Sequence, residues 1–495
     1  MREHWASKLG FILASAGSAI GLGNIWRFPY LVGQNGGAAF VLVYILFVIL
    51  LGIPVMLAEF SIGQEAQKNP VGTFRELAGR HSHWQLVGFM GIGTGIIILA
   101  YYTGIAGWTL AYIVRSLNRT YYLQDAAAVF QNFISSPQET IFWLLVFAGL
   151  GAGIIVAGVT RGIERWCKYL LPILFGILLV LLVRSLTLPN AAAGLSYYLR
   201  PDFSKLSPSA ILAAAGQAFF SLSLGMGVMI TYGSYLGKDT NLLKSAIWVS
   251  ALDTAVAFLA GMVIFPAVFA FGLEPNSGPG LTFITLPRVF AQMPMGNLFA
   301  TLFFILLAIA ALTSTISLLE VIVSFAIDEL GWSRPKATII MALGTAILGI
   351  LPTLSFGVLS NWTIYTKNIF EAMDFLAANI LLPSGGLLIT IFVGWVWARR
   401  SEGKIKELNF LIKFIVPVII TTILVSGLLG SWKSLLAALL LGYGLLFLVT
   451  FYFYPLIWIG RDARQHDESP VLWRFLFLLF AWPALILYLI VRKRR

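Results

Sequence analysis

The chain is 495 residues long, 59% hydrophobic and only 11% charged, with a mean hydropathy of +0.88 and a formal charge of +12. This composition excludes an ordinary soluble domain and describes a chain that crosses a membrane many times. The positive excess calls for no nucleic acid, because lysine and arginine gather in the cytoplasmic loops of membrane proteins. A single cysteine, Cys167, excludes an internal disulfide.

The opening MREHWASKLG is too short and too lightly charged for a cleaved signal peptide and is read as mature sequence. Apolar runs then predict spans at about 9–33, 38–62, 84–115, 140–157, 165–184, 209–235, 243–271, 297–327, 337–354, 366–398, 409–430 and 434–459. A possible thirteenth segment covers 471–491. Loops at 121–138 and 273–295 fall on one side. Those at 63–80, 161–168, 238–244, 334–336 and 399–406 fall on the other and are richer in Lys and Arg, which puts them and the N-terminus in the cytoplasm. Twelve spans return the chain to the cytoplasm, whereas a thirteenth carries the terminal VRKRR outside, so the topology of 461–495 stays open.

The first span is no plain anchor. Its AGSAIGLGNIWRFPY stretch (16–30) concentrates Gly17, Gly21 and Gly23 beside Asn24, Arg27 and Pro29. Glycine weakens a helix, and backbone freed inside a bilayer is tolerated only where it lines a cavity or meets a ligand. A break near 19–23 is therefore predicted, with freed carbonyls facing a cation and the amides of the next half-helix facing an anion. A second interruption is predicted at SLSLGMG (221–227) in the sixth span. Two glycine-broken spans in corresponding places point to an inverted repeat with a binding site between its halves.

The stretch GSAIGLGNIWRFPYLVGQNGGAAF (17–40) resembles the first-span signature of the neurotransmitter:sodium symporter family, the sodium-coupled neurotransmitter and amino-acid transporters. GIPVMLAEFSIG (52–63), RGIERWCKYLLP (161–172), GQAFFSLSLGMGVMITYGSY (216–235) and ALTSTISLLEVIVSFAIDE (311–329) agree in order, so the likeness covers about 1–400. It implies an all-α polytopic protein of the leucine-transporter (LeuT-type) fold, an inverted five-helix repeat with broken first and sixth helices. The repeats would occupy 1–190 and 191–400, with peripheral spans in 401–495.

The same resemblance implies two sodium ions. The first would be held by the Ala19 carbonyl, Asn24, Ser221, Asp253 and the substrate carboxylate. The second would be held by the carbonyls of Gly17, Ile20 and Ala310 and the hydroxyls of Thr313 and Ser314. Oxygen donors suit a hard cation, although such hydroxyls also bond back to the preceding turn. Asp253 departs from the family's commoner asparagine, and no Glu stands in the next turn (Val256, Ala257, Phe258). The expectation is that Asp253 supplies the negative charge for which many animal relatives need chloride. Its rival is a protonated Asp253 that only caps a helix.

Relatives that carry monoamines have an Asp where this chain has Gly21, so glycine leaves room for a substrate carboxylate, bound by amides near Gly21 and Gly23 and by Tyr102. Carbonyls near Phe220 and Ser223 would take the amine. The side-chain pocket would be lined by Ile98, Phe220, Ser223, Met226, Met229, Thr315 and Leu318, and its lack of charge implies a hydrophobic or aromatic amino acid. Arg27 and Asp374 would form an outer gate. Arg2 and Asp328, covered by Trp5 and Tyr235, would form an inner one. Gly162 and Pro172 would mark a turn that unwinds to release the second sodium. The buried acids Glu59 and Glu320 suggest structural hydrogen bonds.

Other chemistry finds no support. His81 and His83 lack zinc-site spacing. GIGTG (91–95) follows no strand, so it is no phosphate loop. The reading is therefore a sodium symporter and not an enzyme, working on a small amino acid within the lipid bilayer of a bacterial inner membrane, with its oligomeric state open. A non-transporting amino-acid receptor or a sodium-leak channel on the same fold are the rivals.

Overall fold

A computed structural model of the chain describes residues 3–120, 125–273, 280–364, 366–397 and 410–429, together with Ser469. It divides into two units, Met1–Val416 and Pro417–Arg495. In the second, the described residues run helically to Leu429, with the Thr421 and Thr422 hydroxyls bonded back to the carbonyls of Pro417 and Val418. The predicted spans at 434–459 and 471–491 lie outside the described residues.

The first unit opens with α1 (Lys8–Ala19), capped by Ser7, whose hydroxyl accepts the Gly10 amide. The helix breaks over 20–22 and resumes as α2 (Gly23–Gln34), bent by 47°. It continues through α3 (Ala38–Ala66), α4 (Pro70–Ala78), α5 (Gln85–Leu117), α6 (Ala126–Ile134), α7 (Pro137–Val156) and α8 (Val159–Leu186). A surface helix, α9 (Ala191–Leu199), leads to the second interrupted span, α10 (Pro208–Ser221) and α11 (Val228–Gly233). Then come α12 (Leu242–Ala270), α13 (Leu281–Ala291), α14 (Gly296–Leu330) and α15 (Arg334–Leu354). A two-residue hairpin, β1 (Thr363–Ile364) on β2 (Lys367–Asn368), pairs Thr363 with Asn368 before α16 (Ile369–Trp397).

Among the described residues, eight helices are long and apolar enough to cross a membrane, or nine with the bent α1–α2 pair as one span. Together, α10 and α11 fill the predicted sixth span. α14 packs along α5, and α15 packs against α5 and α7. The apolar segments of α14 and α5 are 78% and 67% buried against protein, whereas those of α7 and α8 are 33% and 28% buried. The first two are therefore the inner wall, and the last two turn mostly to lipid.

Backbone geometry explains the second break. Ser223, Gly225 and Gly227 have φ of +54°, +81° and +78°, a region that favours glycine. A Cβ on Gly225 would collide with the Leu382 carbonyl, and one on Gly227 would sit 2.7 Å from Pro70 Cγ. Two expected loops prove structured: 121–138 carries α6 and 273–295 carries α13. Asp125 caps α6 through the Ala127 and Ala128 amides. Both helices are shorter than the stretch over which hydrophobic periodicity reports a helix.

Candidate functional site

The two breaks face each other across a cavity of about 20 Å³. Ser18, Ala19, Gly21 and Gly23 line it from the first break, and Phe220, Ser223 and Met226 from the second. α5 adds Ile98 and Tyr102, and α14 adds Ser314 and Leu318. Two expected lining residues are elsewhere. Thr315 turns its Cγ2 toward α7, 3.0 Å from where a Cβ on Gly151 would lie, and Met229 is buried within α11. Successive helix residues differ by about 100° in direction, so Ser314 reaches the cavity and Thr315 faces away.

Glycine fits at position 21 where a side chain would not. A Cβ there would collide with Ser314 Oγ and lie 2.9 Å from Tyr102 Oη. The Leu22 amide donates to the Tyr102 hydroxyl at 3.1 Å. Ser223 Oγ and Ser314 Oγ both donate to the Ser18 carbonyl, at 3.0 and 3.1 Å.

Beside the cavity lies a buried polar cluster built on Asp253. Asn24 Nδ2 donates to Asp253 Oδ1 at 2.7 Å and to its carbonyl at 3.0 Å, while Asn24 Oδ1 accepts the Gly21 amide at 3.0 Å. Ser221 Oγ is 3.0 Å from each Asp253 carboxylate oxygen. Tyr44 Oη donates to Asp253 Oδ2 at 3.1 Å. Sequence reasoning missed Tyr44, although a tyrosine inside the aliphatic run VLVYILF was a signal. It also missed Gln217, which donates to the Gly23 carbonyl at 2.8 Å and ties α10 to the first break. Ala19, the remaining member expected of this donor set, lines the adjacent cavity.

Four of the five residues expected around the second ion also meet. Thr313 Oγ1 is 3.0 Å from the Ala310 carbonyl and 3.4 Å from that of Ile20. Thr313 Cβ lies 3.3 Å from where a Cβ on Gly17 would sit. The fifth, Ser314, is directed instead to the Ser18 carbonyl. Thr313 also lies 3.2 Å from the Ile309 carbonyl, the backbone bond expected of a helical threonine.

On one side of the cavity, Arg27 Nη2 is 3.8 Å from Asp374 Oδ2, and its guanidinium lies 4.6 Å from the Phe220 ring centroid. Tyr101 Oη donates to Asp374 at 3.2 Å. Beyond this pair opens a vestibule of about 260 Å³. On the opposite side, Trp5 donates its amide to the Tyr235 carbonyl at 3.2 Å and its indole N–H to the Tyr232 carbonyl at 2.9 Å. Arg2 lies outside the described residues. Asp328 accepts the Asn69 amide at 2.9 Å and Asn69 Nδ2 at 3.2 Å.

Among the described residues, the N-terminal segment is tied down by two glutamates. Glu164 accepts from the Ala6 amide, Ser7 Oγ and Lys168 Nζ at 2.7, 2.8 and 2.7 Å. Glu3 accepts the Val159 amide at 2.6 Å and pairs with Arg334 at 2.8 Å. These contacts converge on the wide π-type turn Val159–Glu164, which follows Gly158 at φ +88°. Gly162 sits in that turn and Pro172 inside α8. The two buried acids without an assigned role have partners: Glu59 accepts the Gly225 amide at 2.7 Å, and Glu320 holds Tyr235 Oη at 2.6 Å and Arg334 at 2.8 Å.

The chain matches the model of the sodium:neurotransmitter symporter family over residues 2–132 and 118–426. It is 42% identical over 432 residues to YhdH, an uncharacterised sodium-dependent transporter of Bacillus subtilis strain 168, covering 84% of this chain and 95% of that one. It is 39% identical over 449 residues to a sodium-dependent transporter of Haemophilus influenzae, covering 86% and 98%. The crystal structure of MhsT in complex with L-phenylalanine matches with a TM-score of 0.81 at 45% identity, covering 86% of this chain and 100% of that one.

Proposed function

Because the chain belongs to the sodium:neurotransmitter symporter family, whose members are sodium-coupled membrane transporters and not enzymes, we propose that it imports a hydrophobic or aromatic L-amino acid by alternating access. The observation that carries this reading is the cavity between the two breaks. Ile98, Phe220, Met226 and Leu318 give it an apolar side, and the glycine at position 21 keeps a side chain away from the Tyr102 and Ser314 hydroxyls, which would meet a carboxylate. The bound L-phenylalanine of MhsT supports the same class.

Two sodium ions accompany the substrate. The first binds Ala19, Asn24, Ser221, Asp253 and the amino-acid carboxylate. The second binds the carbonyls of Gly17, Ile20 and Ala310 with Thr313, and Ser314 turns toward it from the Ser18 carbonyl. Since the carboxylate belongs to both substrate and ion site, each ligand raises the other's affinity by the same factor. Chloride is not required, because Asp253 already supplies the charge among Asn24, Tyr44 and Ser221. Arg27 and Asp374 close the outer side. Unwinding of the stretch marked by Gly162 and Pro172, beginning in the Val159–Glu164 turn, releases the second sodium inward. The halves 1–190 and 191–400 act as the two repeats, and the N-terminus is cytoplasmic in a bacterial inner membrane.

The test is uptake of a labelled amino-acid mixture into proteoliposomes, with and without an inward sodium gradient, at zero and normal chloride. Sodium-driven, chloride-independent accumulation of hydrophobic amino acids is expected. Binding without accumulation identifies a receptor, and sodium flux indifferent to substrate identifies a leak channel. A chloride requirement removes the role given to Asp253.

A further inference from the structure

The first break frees one carbonyl beyond those assigned to the ions. In an unbroken helix the amides of Gly21 and Leu22 would close on the carbonyls of Gly17 and Ser18. Here the Gly21 amide donates to Asn24 Oδ1 and the Leu22 amide to Tyr102 Oη. Ser18 stands between Gly17, assigned to the second ion, and Ala19, assigned to the first. Its carbonyl is covered by two hydroxyls, Ser223 Oγ at 3.0 Å and Ser314 Oγ at 3.1 Å. A carbonyl oxygen has two lone pairs, so both are taken. The Ser18 side chain is held as well. Its Oγ donates to Ser317 Oγ at 2.7 Å, and Ser317 Oγ donates to the Ser314 carbonyl at 2.8 Å. The second of these is the back-bond ordinary for a helical serine. The first crosses from α1 to α14, and all four serines are buried.

When Ser314 turns to the second sodium, it leaves the Ser18 carbonyl with one lone pair free. Ser18, Ser223 and Ser314 all line the cavity, and an amino acid brings an ammonium there, rich in donors and without an acceptor. We propose that the Ser18 carbonyl is an acceptor for the substrate ammonium that the second sodium makes available. Ser317 is the positioning residue: it pins Ser18 to α14 while Ser314 turns away. This rests on the sodium and amino-acid reading above and deepens it. The first ion meets the carboxylate of the substrate, and the second reaches its amine through Ser314 and Ser18.

The test uses the full chain in proteoliposomes. Binding of labelled L-phenylalanine is measured at sodium well below and well above half-saturation, in wild type, Ser317→Ala, Ser18→Ala, the double variant and Ser317→Thr. A hydrogen bond between membrane helices is worth roughly a 3- to 20-fold change in an equilibrium. In Ser317→Ala, the affinity gained between low and high sodium should therefore shrink by about 3- to 20-fold. The loss should fall on binding at high sodium and leave the low-sodium value unchanged. Ser18→Ala should match it, and the double variant should lose no more, because the two hydroxyls act as one unit. Ser317→Thr keeps the hydroxyl and should keep the wild-type gain. Competition by 3-phenylpropionate, which is phenylalanine without its amine, should keep its sodium dependence in Ser317→Ala.

The inference is overturned if Ser317→Ala weakens phenylalanine equally at both sodium concentrations, as a packing defect would, or leaves the gain intact. It is also overturned if the amine-free acid loses the same gain. If that acid does not compete, the phenylalanine measurement alone decides. If Ser317→Ala fails to reach the membrane, Ser18→Ala decides by the same criterion. Wild type that binds none of leucine, phenylalanine and tryptophan, or binds them indifferently to sodium, would overturn the symport reading itself.

Discussion

Three neutral donors, from Asn24, Ser221 and Tyr44, converge on Asp253. Replacing the carboxylate by an amide keeps the shape and removes the charge. Hydrogen bonds to a charged group contribute about 1.5–3 kcal/mol. Asp253→Asn should therefore raise the sodium half-saturation roughly ten- to a hundredfold, with partial recovery on adding chloride, read from sodium-dependent uptake in the two anions. Gly21→Ala should abolish amino-acid uptake while leaving membrane insertion intact, because its Cβ meets Ser314 and Tyr102. Gly21 and Asn24 were legible in the sequence because glycine and asparagine are out of place in an anchor. Tyr44 and Gln217 were not, since an aromatic or amide within an apolar run also reads as ordinary packing. Thr315 was misplaced for a related reason: a motif locates a residue along a helix, but a rotation of one residue moves it to another face.

At the scale of elements, the breaks were the most legible part of the fold. Gly225 and Gly227 adopt backbone angles that other residues avoid, and that need is written in the sequence. The short helices α6 and α13 were not legible, because their apolar faces are too brief to show a period. For α6 one signal existed: Asp125 caps its first turn. Arg288 and the Ala128 and Ala127 amides hold the Asp125 carboxyl below the usual aspartate range. A depressed folded value means that its contribution is present above the ordinary aspartate pKa and lost as pH falls through the folded one. Protection from hydrogen exchange over 126–134 should therefore fall on the acid side, and Asp125→Asn should flatten that dependence. A third element, the N-terminal strap, depends on Glu164, which is buried and accepts from Ala6, Ser7 and Lys168. In Glu164→Ala, exchange at 5–11 and 159–164 should rise together by roughly tenfold or more, given about 1.5–3 kcal/mol for such bonds. Independent responses of the two segments would show that the strap and the turn do not open as one.

For the whole molecule, the fold is the inverted five-helix repeat with its first and sixth helices broken, and α5 and α14 are its inner wall. Spans up to α16 were legible from hydrophobic length alone, whereas the side of each span that meets protein was not. α8 is the more apolar of the two, yet α5 is mostly buried against protein and α8 is not. A site shared by ion and substrate has a global signature. A ligand at 100 times its dissociation constant stabilises the folded state by about 2.7 kcal/mol. The thermal midpoint in detergent should therefore rise more with sodium and L-phenylalanine together than the sum of the two separate rises, and Asp253→Asn should reduce the excess. Strictly additive shifts would show that the two ligands do not meet.

Ser18, Ala19, Gly21 and Gly23 line the cavity from the first break, and the same break supplies Asn24 to Asp253 and the Ile20 carbonyl to Thr313. What is carried and what drives the carrying are thus written on one stretch of chain. A descendant that rewrites this stretch to change its cargo disturbs the ionic machinery in the same step.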